Sequence, residues 1–284
     1  MKCIVCGKDK NKVKFIKNNY QLVKCKFCGL LKVDPLPTLQ VLQDFYNLRS
    51  KKGNYSPEKN KETYKVDEGL ADYIEFFSIK DKKIFDIGCF NGQLLDILKE
   101  RGWETWGLEF QGPASERARI NHGRQIYTGA IEDLNIEDLK EKFDVVTAMG
   151  LIEHTLNPSL LTQKIGFMLK KGGFVFIQTP NYDSLISKLF GKYWPPLAPP
   201  EHLYYFSPEN PSRIFSREGI QLVKWRPHWK KLRIGYVLDQ LNHFGIEIAS
   251  ITNRIRNFIP QKIQDYELPF YGGEIIWVGR KVSN

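Results

Sequence analysis

From Lys82 onward, short apolar runs alternate with helix-patterned stretches, and this alternation constrains the chain more than any other feature. It predicts an α/β fold, a parallel sheet wrapped by helices. Lys83-Ile84-Phe85-Asp86-Ile87-Gly88 reads as the first strand, and Gln93 to Arg101 as a helix with Leu94, Leu95, Ile97 and Leu98 inward. Between them stand Gly88 and Gly92, which let backbone approach a ligand closely at the helix N-terminus. The next strand, Thr105 to Glu109, ends in a carboxylate 23 residues after Asp86. A carboxylate there can accept hydrogen bonds from both hydroxyls of a ribose.

The turn is not the G-x-G-x-x-G of pyrophosphate-binding enzymes. Asp86-Ile87-Gly88-Cys89-Phe90-Asn91-Gly92 resembles instead the first motif of class I methyltransferases that use S-adenosylmethionine, acidic-x-Gly-x-Gly-x-Gly, with Phe90 in place of the middle glycine. The resemblance continues in order through Gly129 to Leu134, Phe143 to Val146, Leu151 to Pro158, Leu169 to Gly173 and Gln178 to Asn181. It implies a Rossmann-like class I methyltransferase sheet over residues 81–284, with substrate loops around 182–210. By resemblance Asp86, Gly88 and Gly92 hold the methionine end of the cofactor and Glu109 the ribose. Ile131 and Glu132 flank the adenine, and Met149 and Gly150 lie near the methyl group. Ala130 stands where many relatives carry aspartate, so the adenine amine would be met by backbone. Cys89 has no ligand spacing around it and is expected to pack.

Four of the five cysteines fall in the first 28 residues as Cys3-x2-Cys6 and Cys25-x2-Cys28, eighteen residues apart. This is the spacing of a four-thiolate zinc site. Gly7 and Gly29 after each pair let the chain turn back toward sulfur. A ribbon of residues 1–34 is expected, with structural zinc contributing much of its folding free energy, since so short a segment buries little apolar surface. Residues 35–80 are expected to be a helical connector, with helices from Thr38 to Leu48 and from Glu62 to Phe77 and a mobile linker over Ser50 to Lys61. The span Lys230 to Phe258 is expected to be helical, and Gly272 to Lys281 a final strand.

Methyl transfer from a sulfonium is an in-line displacement that needs no metal; it needs positioning and removal of a proton from a hydroxyl or amine. His122, His154, His202, His228 and His243 are available. Glu153-His154 follows the fourth strand of the module, which makes His154 a candidate base with Glu153 to orient it; a packing or capping histidine is the alternative. Glu201-His202 follows a proline-rich stretch, Trp194 to Pro200, and precedes Leu203-Tyr204-Tyr205-Phe206. This run is similar to one in zinc-ribbon methyltransferases of sugar and polysaccharide pathways, where a histidine faces the acceptor, so His202 and Glu201 join the catalytic candidates. Sugar-nucleotide C-methyltransferases share the cysteine knuckles and the Glu-His pair, but they are longer and place tyrosine where this chain has Pro199. Transfer to oxygen or nitrogen is therefore expected. Pocket shape would come from loops around Tyr55, Trp194 and Tyr204.

The formal charge is +10, and residues 1–34 carry nine lysines against Asp9 and Asp34. Clustered lysine admits nucleic acid, an anionic membrane surface, an anionic substrate or a merely solvated face. Arg254, Arg256 and Lys262 admit an anionic acceptor or carrier, with a solvated face as the default. A ribosomal RNA base methyltransferase and a non-catalytic zinc-ribbon interaction protein are the alternative functions. The RNA-modifying relatives carry Cys-x3-His as the second knuckle, unlike Cys25-x2-Cys28, so a small-molecule acceptor leads. No apolar run reaches the length of a membrane span, and the start lacks the apolar core of a signal peptide, so a cytoplasmic protein is expected.

Overall fold

The computed structural model describes residues 2–51, 61–110, 112–241, 254 and 256–283. The elements run β1 (Asn11–Lys17), β2 (Tyr20–Cys25), β3 (Leu31–Val33), α1 (Leu39–Lys51), α2 (Lys61–Glu75), β4 (Lys83–Ile87), α3 (Gln93–Glu100), β5 (Glu104–Glu109) and α4 (Gly112–His122). They continue as β6 (Ile126–Thr128), β7 (Phe143–Met149), α5 (Pro158–Met168), β8 (Leu169–Pro180), α6 (Leu185–Phe190), β9 (Tyr204–Tyr205), α7 (Asn210–Phe215), β10 (Ile220–Arg233), α8 (Ile234–Leu241) and β11 (Glu267–Lys281).

Seven strands form the main sheet in the order β10-β11-β8-β7-β4-β5-β6. The five from β8 to β6 are parallel, and β11 and β10 add an antiparallel hairpin at one edge. Both faces of β4 are buried, as its continuous apolar run requires when helices cover a parallel sheet. Leu70 and Ile74 of α2 pack with Leu94, Leu95 and Leu98 of α3 on one side. The chain order reverses between β4 and β7, and at such a point strand ends diverge to leave a crevice.

Near the amino end, β1 and β2 form a hairpin closed by Asn18-Asn19, both at positive φ, which asparagine tolerates better than other side chains. The second sheet runs β1-β2-β3-β9, so its fourth strand comes from residues 204–205, far along the chain. Leu31 pairs with Tyr205 and Lys32 with Tyr204. The Val33 amide donates to the Leu203 carbonyl at 2.9 Å, Asn210 Nδ2 to Cys28 O at 2.9 Å and Asn18 Nδ2 to Pro199 O at 2.8 Å. Cys3, Val5 and Leu30 share one continuous core with Leu203, Phe206 and Phe215. The amino-terminal hairpin is thus built into the body, not hinged on it.

The expected helix over Lys230 to Phe258 is corrected at its start: residues up to Arg233 extend β10, which pairs with β11 from Ile220↔Lys281 to Arg233↔Glu267. Helix begins only at Ile234; residues 242–253 and 255 lie outside the described residues, as do Tyr55, His243 and linker residues 52–60. The final strand correspondingly begins at Glu267. Cross-strand pairing over the whole hairpin overrides the helical preference of its lysines and leucines.

Candidate active site

Beyond the carboxyl ends of β4, β5 and β7 lies a cleft of about 460 Å³. Its floor is the turn after β4. Gly88 and Gly92 both adopt positive φ, at 78° and 75°, and Phe90 does so at 48°, a conformation that costs a non-glycine residue about 1 kcal/mol. The compensating contact is visible. The Phe90 amide donates to Glu109 Oε2 at 2.8 Å, tying the turn to the end of β5.

Gly88, Glu109, Ile131, Glu132, Met149 and Gly150 all line this cleft. Four other sequence-predicted residues do not: Asp86, Gly92, Glu201 and His202. Asp86 lies beneath the floor, buried, its Oδ1 accepting from Thr147 Oγ1 at 2.6 Å. Burial, with Asp67 and Glu109 nearby, pushes its carboxyl up to about 7. Gly92 begins α3, where an added Cβ would stand 3.0 Å from Ala118 Cβ, so its absence lets α3 and α4 close together. Cys89 is buried against Gly107, whose added Cβ would meet its sulfur at 2.7 Å, and burial raises its thiol; it packs.

Two contributors were not read from the sequence. Helix α1 lies over the cleft with Leu39, Leu42, Gln43 and Tyr46; sequence periodicity marks Leu39, Leu42 and Tyr46 only as part of an apolar stripe and does not single out Gln43. Lys164 of α5 is buried and donates Nζ to the carbonyls of Ile131, Glu132 and Leu134 at 2.6, 2.9 and 2.9 Å. One ammonium thereby shapes the loop expected to meet the adenine. No spacing or motif announces it.

At the far end of the cleft stands His154. Its Nδ1 lies 2.9 Å from the Glu201 carbonyl and 3.2 Å from the Tyr46 hydroxyl. The His202 ring meets it edge to face, centroids 4.6 Å apart, and His202 Nδ1 lies 2.7 Å from the Pro196 carbonyl. The fold therefore joins Glu153-His154 and Glu201-His202, 48 positions apart, into one cluster. Glu153 is 2% exposed, and its backbone carbonyl accepts from the Leu203 amide at 2.7 Å. Burial pushes its carboxyl up to about 8, with Glu274 and Glu201 acting in the same direction. Among the remaining histidines, His122 bridges Thr105 Oγ1 and Asp96 Oδ1 at 2.8 and 3.0 Å, a structural role. His228 is buried, which lowers it to about 4.

Away from the cleft, Cys3, Cys6, Cys25 and Cys28 bring their sulfurs within 4.8 Å of one another. Cys3 and Cys28 Sγ are 3.4 Å apart, and Cys6 and Cys25 Sγ 3.6 Å. A zinc ion with Zn–S bonds of about 2.3 Å sets a tetrahedral edge of about 3.8 Å, so the donor set fits that ion in type, number and spacing.

Comparison with known proteins agrees with this architecture. Residues 63–224 match the family model described as a methyltransferase domain. The ubiquinone biosynthesis O-methyltransferase of Azoarcus sp. (strain BH72) is 30% identical over 152 residues, covering 50% of this chain and 65% of that protein. The enzyme of the same description from Shewanella halifaxensis is 32% identical over 107 residues, 35% of this chain and 44% of the relative. The chain thus spans 44% to 65% of the length of these curated relatives. Among solved structures, the Burkholderia thailandensis 1,6-didemethyltoxoflavin-N1-methyltransferase superposes with a TM-score of 0.55 at 10% identity, over 96% of this chain and all of that one. A SAM-dependent methyltransferase from Archaeoglobus fulgidus gives 0.51 at 22% identity, over 84% and 100%. No helix among the described residues is long and apolar enough to cross a membrane. With its family model matched over more than half its length, and the parallel sheet, glycine turn and β5 carboxylate all present, the chain belongs to the methyltransferase-domain family.

Proposed function

We propose that this enzyme methylates oxygen, or secondarily nitrogen, on a small polar acceptor of the sugar or sugar-nucleotide class. The observation that carries the reading is the convergence of Glu153-His154 and Glu201-His202, of which His154 lines the cleft and meets the His202 ring edge to face. When bound, S-adenosylmethionine supplies an activated methyl group on a sulfonium. Glu109 would accept from the ribose hydroxyls, Ile131 and Glu132 would flank the adenine, and the Gly88 turn would carry the methionine end, with Asp86 beneath it as counter-charge. Met149 and Gly150 would face the methyl carbon. Leu42 and Tyr46 cover the cleft and would exclude water from it. His154 or His202 would remove the acceptor proton, since each ring is fixed by a backbone carbonyl acting on Nδ1.

The cysteine cluster would hold zinc structurally, because four protein sulfurs leave no position for a substrate. Its part in the chemistry would be indirect: β3 supports β9, which directly follows the Glu201-His202 segment. Ribbon and acceptor loop thus form one unit. A second reading takes a phenolic hydroxyl as acceptor, favoured by the O-methyltransferase descriptions of the curated relatives. Incubation with labelled methyl donor and fractionated extract, followed by mass identification of the labelled product, separates the two. A labelled sugar supports the first reading, a labelled aromatic the second, and labelled RNA removes both.

A further inference from the structure

Glu153, His154 and His202 bring one carboxylate oxygen and one nitrogen from each imidazole within 4.8 Å of one another. Three observations set this cluster apart from a chance meeting of polar groups. Carbonyl oxygens only accept, so with Glu201 O at 2.9 Å and Pro196 O at 2.7 Å, the Nδ1 atoms of His154 and His202 carry the protons. Each Nε2 then bears the lone pair, the tautomer in which outer partners hold a metal-binding histidine. The two rings stand edge to face at 4.6 Å although they come from segments either side of β8, so the tertiary fold sets their relation. Finally, Glu153 is 2% exposed, and its Oε2 has no hydrogen-bond partner among the described residues. Such a buried carboxyl stays neutral in isolation, and its ionised form is favoured only where a cation meets it.

We propose that Glu153, His154 and His202 bind a divalent first-row transition ion, leaving coordination positions toward the cleft for an oxygen of the acceptor. The inference rests on reading this corner as the acceptor side and specifies how the acceptor is activated there. Two imidazoles and one carboxylate suit zinc, cobalt, nickel, manganese or ferrous iron, whereas magnesium and calcium prefer all-oxygen sets. Metal–ligand bonds of about 2.0–2.2 Å set ligand-atom separations of about 3.0–3.6 Å, inside the 4.8 Å that bounds these three groups. An acceptor hydroxyl on the ion loses its proton to water. The oxygen lone pair then forms the O–CH3 bond while the S–CH3 pair returns to sulfur. In that case the imidazoles serve as ligands, and the cation's charge does the work otherwise assigned to a base.

The test uses Co²⁺ titrated into full-length protein whose cysteine site is already loaded with zinc, followed by calorimetry and visible absorption. Expected is a further equivalent of bound ion, with the weak absorption of nitrogen and oxygen ligands and no thiolate charge-transfer band. Glu153→Gln and His202→Ala should each weaken Co²⁺ binding at least about tenfold. S-adenosylhomocysteine binding, followed in the same samples, should be unchanged and so reports that the fold is intact. If His202→Ala loses the fold, the shape-preserving Glu153→Gln carries the comparison. Absence of Co²⁺ binding to the wild type, or equal binding by a folded Glu153→Gln protein, overturns the metal site. Failure of wild type to bind S-adenosylhomocysteine would instead overturn the donor-cleft assignments, whatever cobalt does.

Discussion

The expected donor side and the proposed acceptor side of the cleft are held together in different ways. On the donor side, β4, its glycine turn, α3 and β5 follow one another within 27 residues, from Lys83 to Glu109, and the stabilising contacts are local. On the acceptor side, Glu153-His154, Glu201-His202 and the cysteine ribbon are drawn from three distant segments joined by β3–β9 pairing and a few long-range hydrogen bonds. A locally built site should tolerate damage elsewhere. One assembled from distant segments should fail with any of its supports.

The largest expected effect exploits that contrast. Stripping the cysteine site, or substituting Cys28→Ser, should unfold the ribbon, lower the melting temperature by about 10 °C and expose the 196–205 segment to proteolysis. Affinity for S-adenosylhomocysteine should change by less than about threefold, because no ribbon residue lines the cleft. Equal loss of cofactor binding would break the contrast. Next in size, Glu109→Ala removes both the expected ribose acceptor and the partner of the Phe90 amide, and should weaken S-adenosylhomocysteine about 100-fold by calorimetry. Lys164→Met leaves three loop carbonyls without their shared donor; it should cost about 2 kcal/mol in denaturant unfolding and about tenfold in cofactor affinity.

The smallest effect is a pH dependence. Asp86, raised from 3.8 to about 7, binds its proton more tightly when folded than when unfolded. Its contribution to stability is therefore fully present below about pH 4 and is lost as pH rises to about 7. A cationic cofactor favours the ionised form, so affinity should rise with pH over the same window, with proton release visible as a buffer-dependent heat. Asp67, pushed up to about 6 by burial, broadens that window toward acid. Asp86→Asn should flatten the profile; an unchanged profile would place the titration elsewhere.

The same division explains what could be read from the sequence. The β4 turn, Glu109 and the cysteine pairs are legible because close spacing and backbone geometry restrict which residues serve there: Gly88 at positive φ, a carboxylate ending β5, two C-x2-C knuckles. Tyr46 beside His154, Lys164 under the Ile131 loop and β9 completing the ribbon sheet are not, since each depends on contacts between residues about 30 to more than 170 positions apart. The start of the span from Lys230 misled for a related reason. Lysine, arginine and leucine there suit a helix locally, and only the distant strand from Glu267 makes residues up to Arg233 extended.

The most direct measurement is a crystal structure of the protein with S-adenosylhomocysteine. The account predicts ribose hydroxyls on Glu109, adenine beside Ile131 under the Lys164-held loop, and sulfur directed past Met149 toward His154. A ligand bound elsewhere, with Leu42 and Tyr46 filling the cleft over the Gly88 turn, would contradict it.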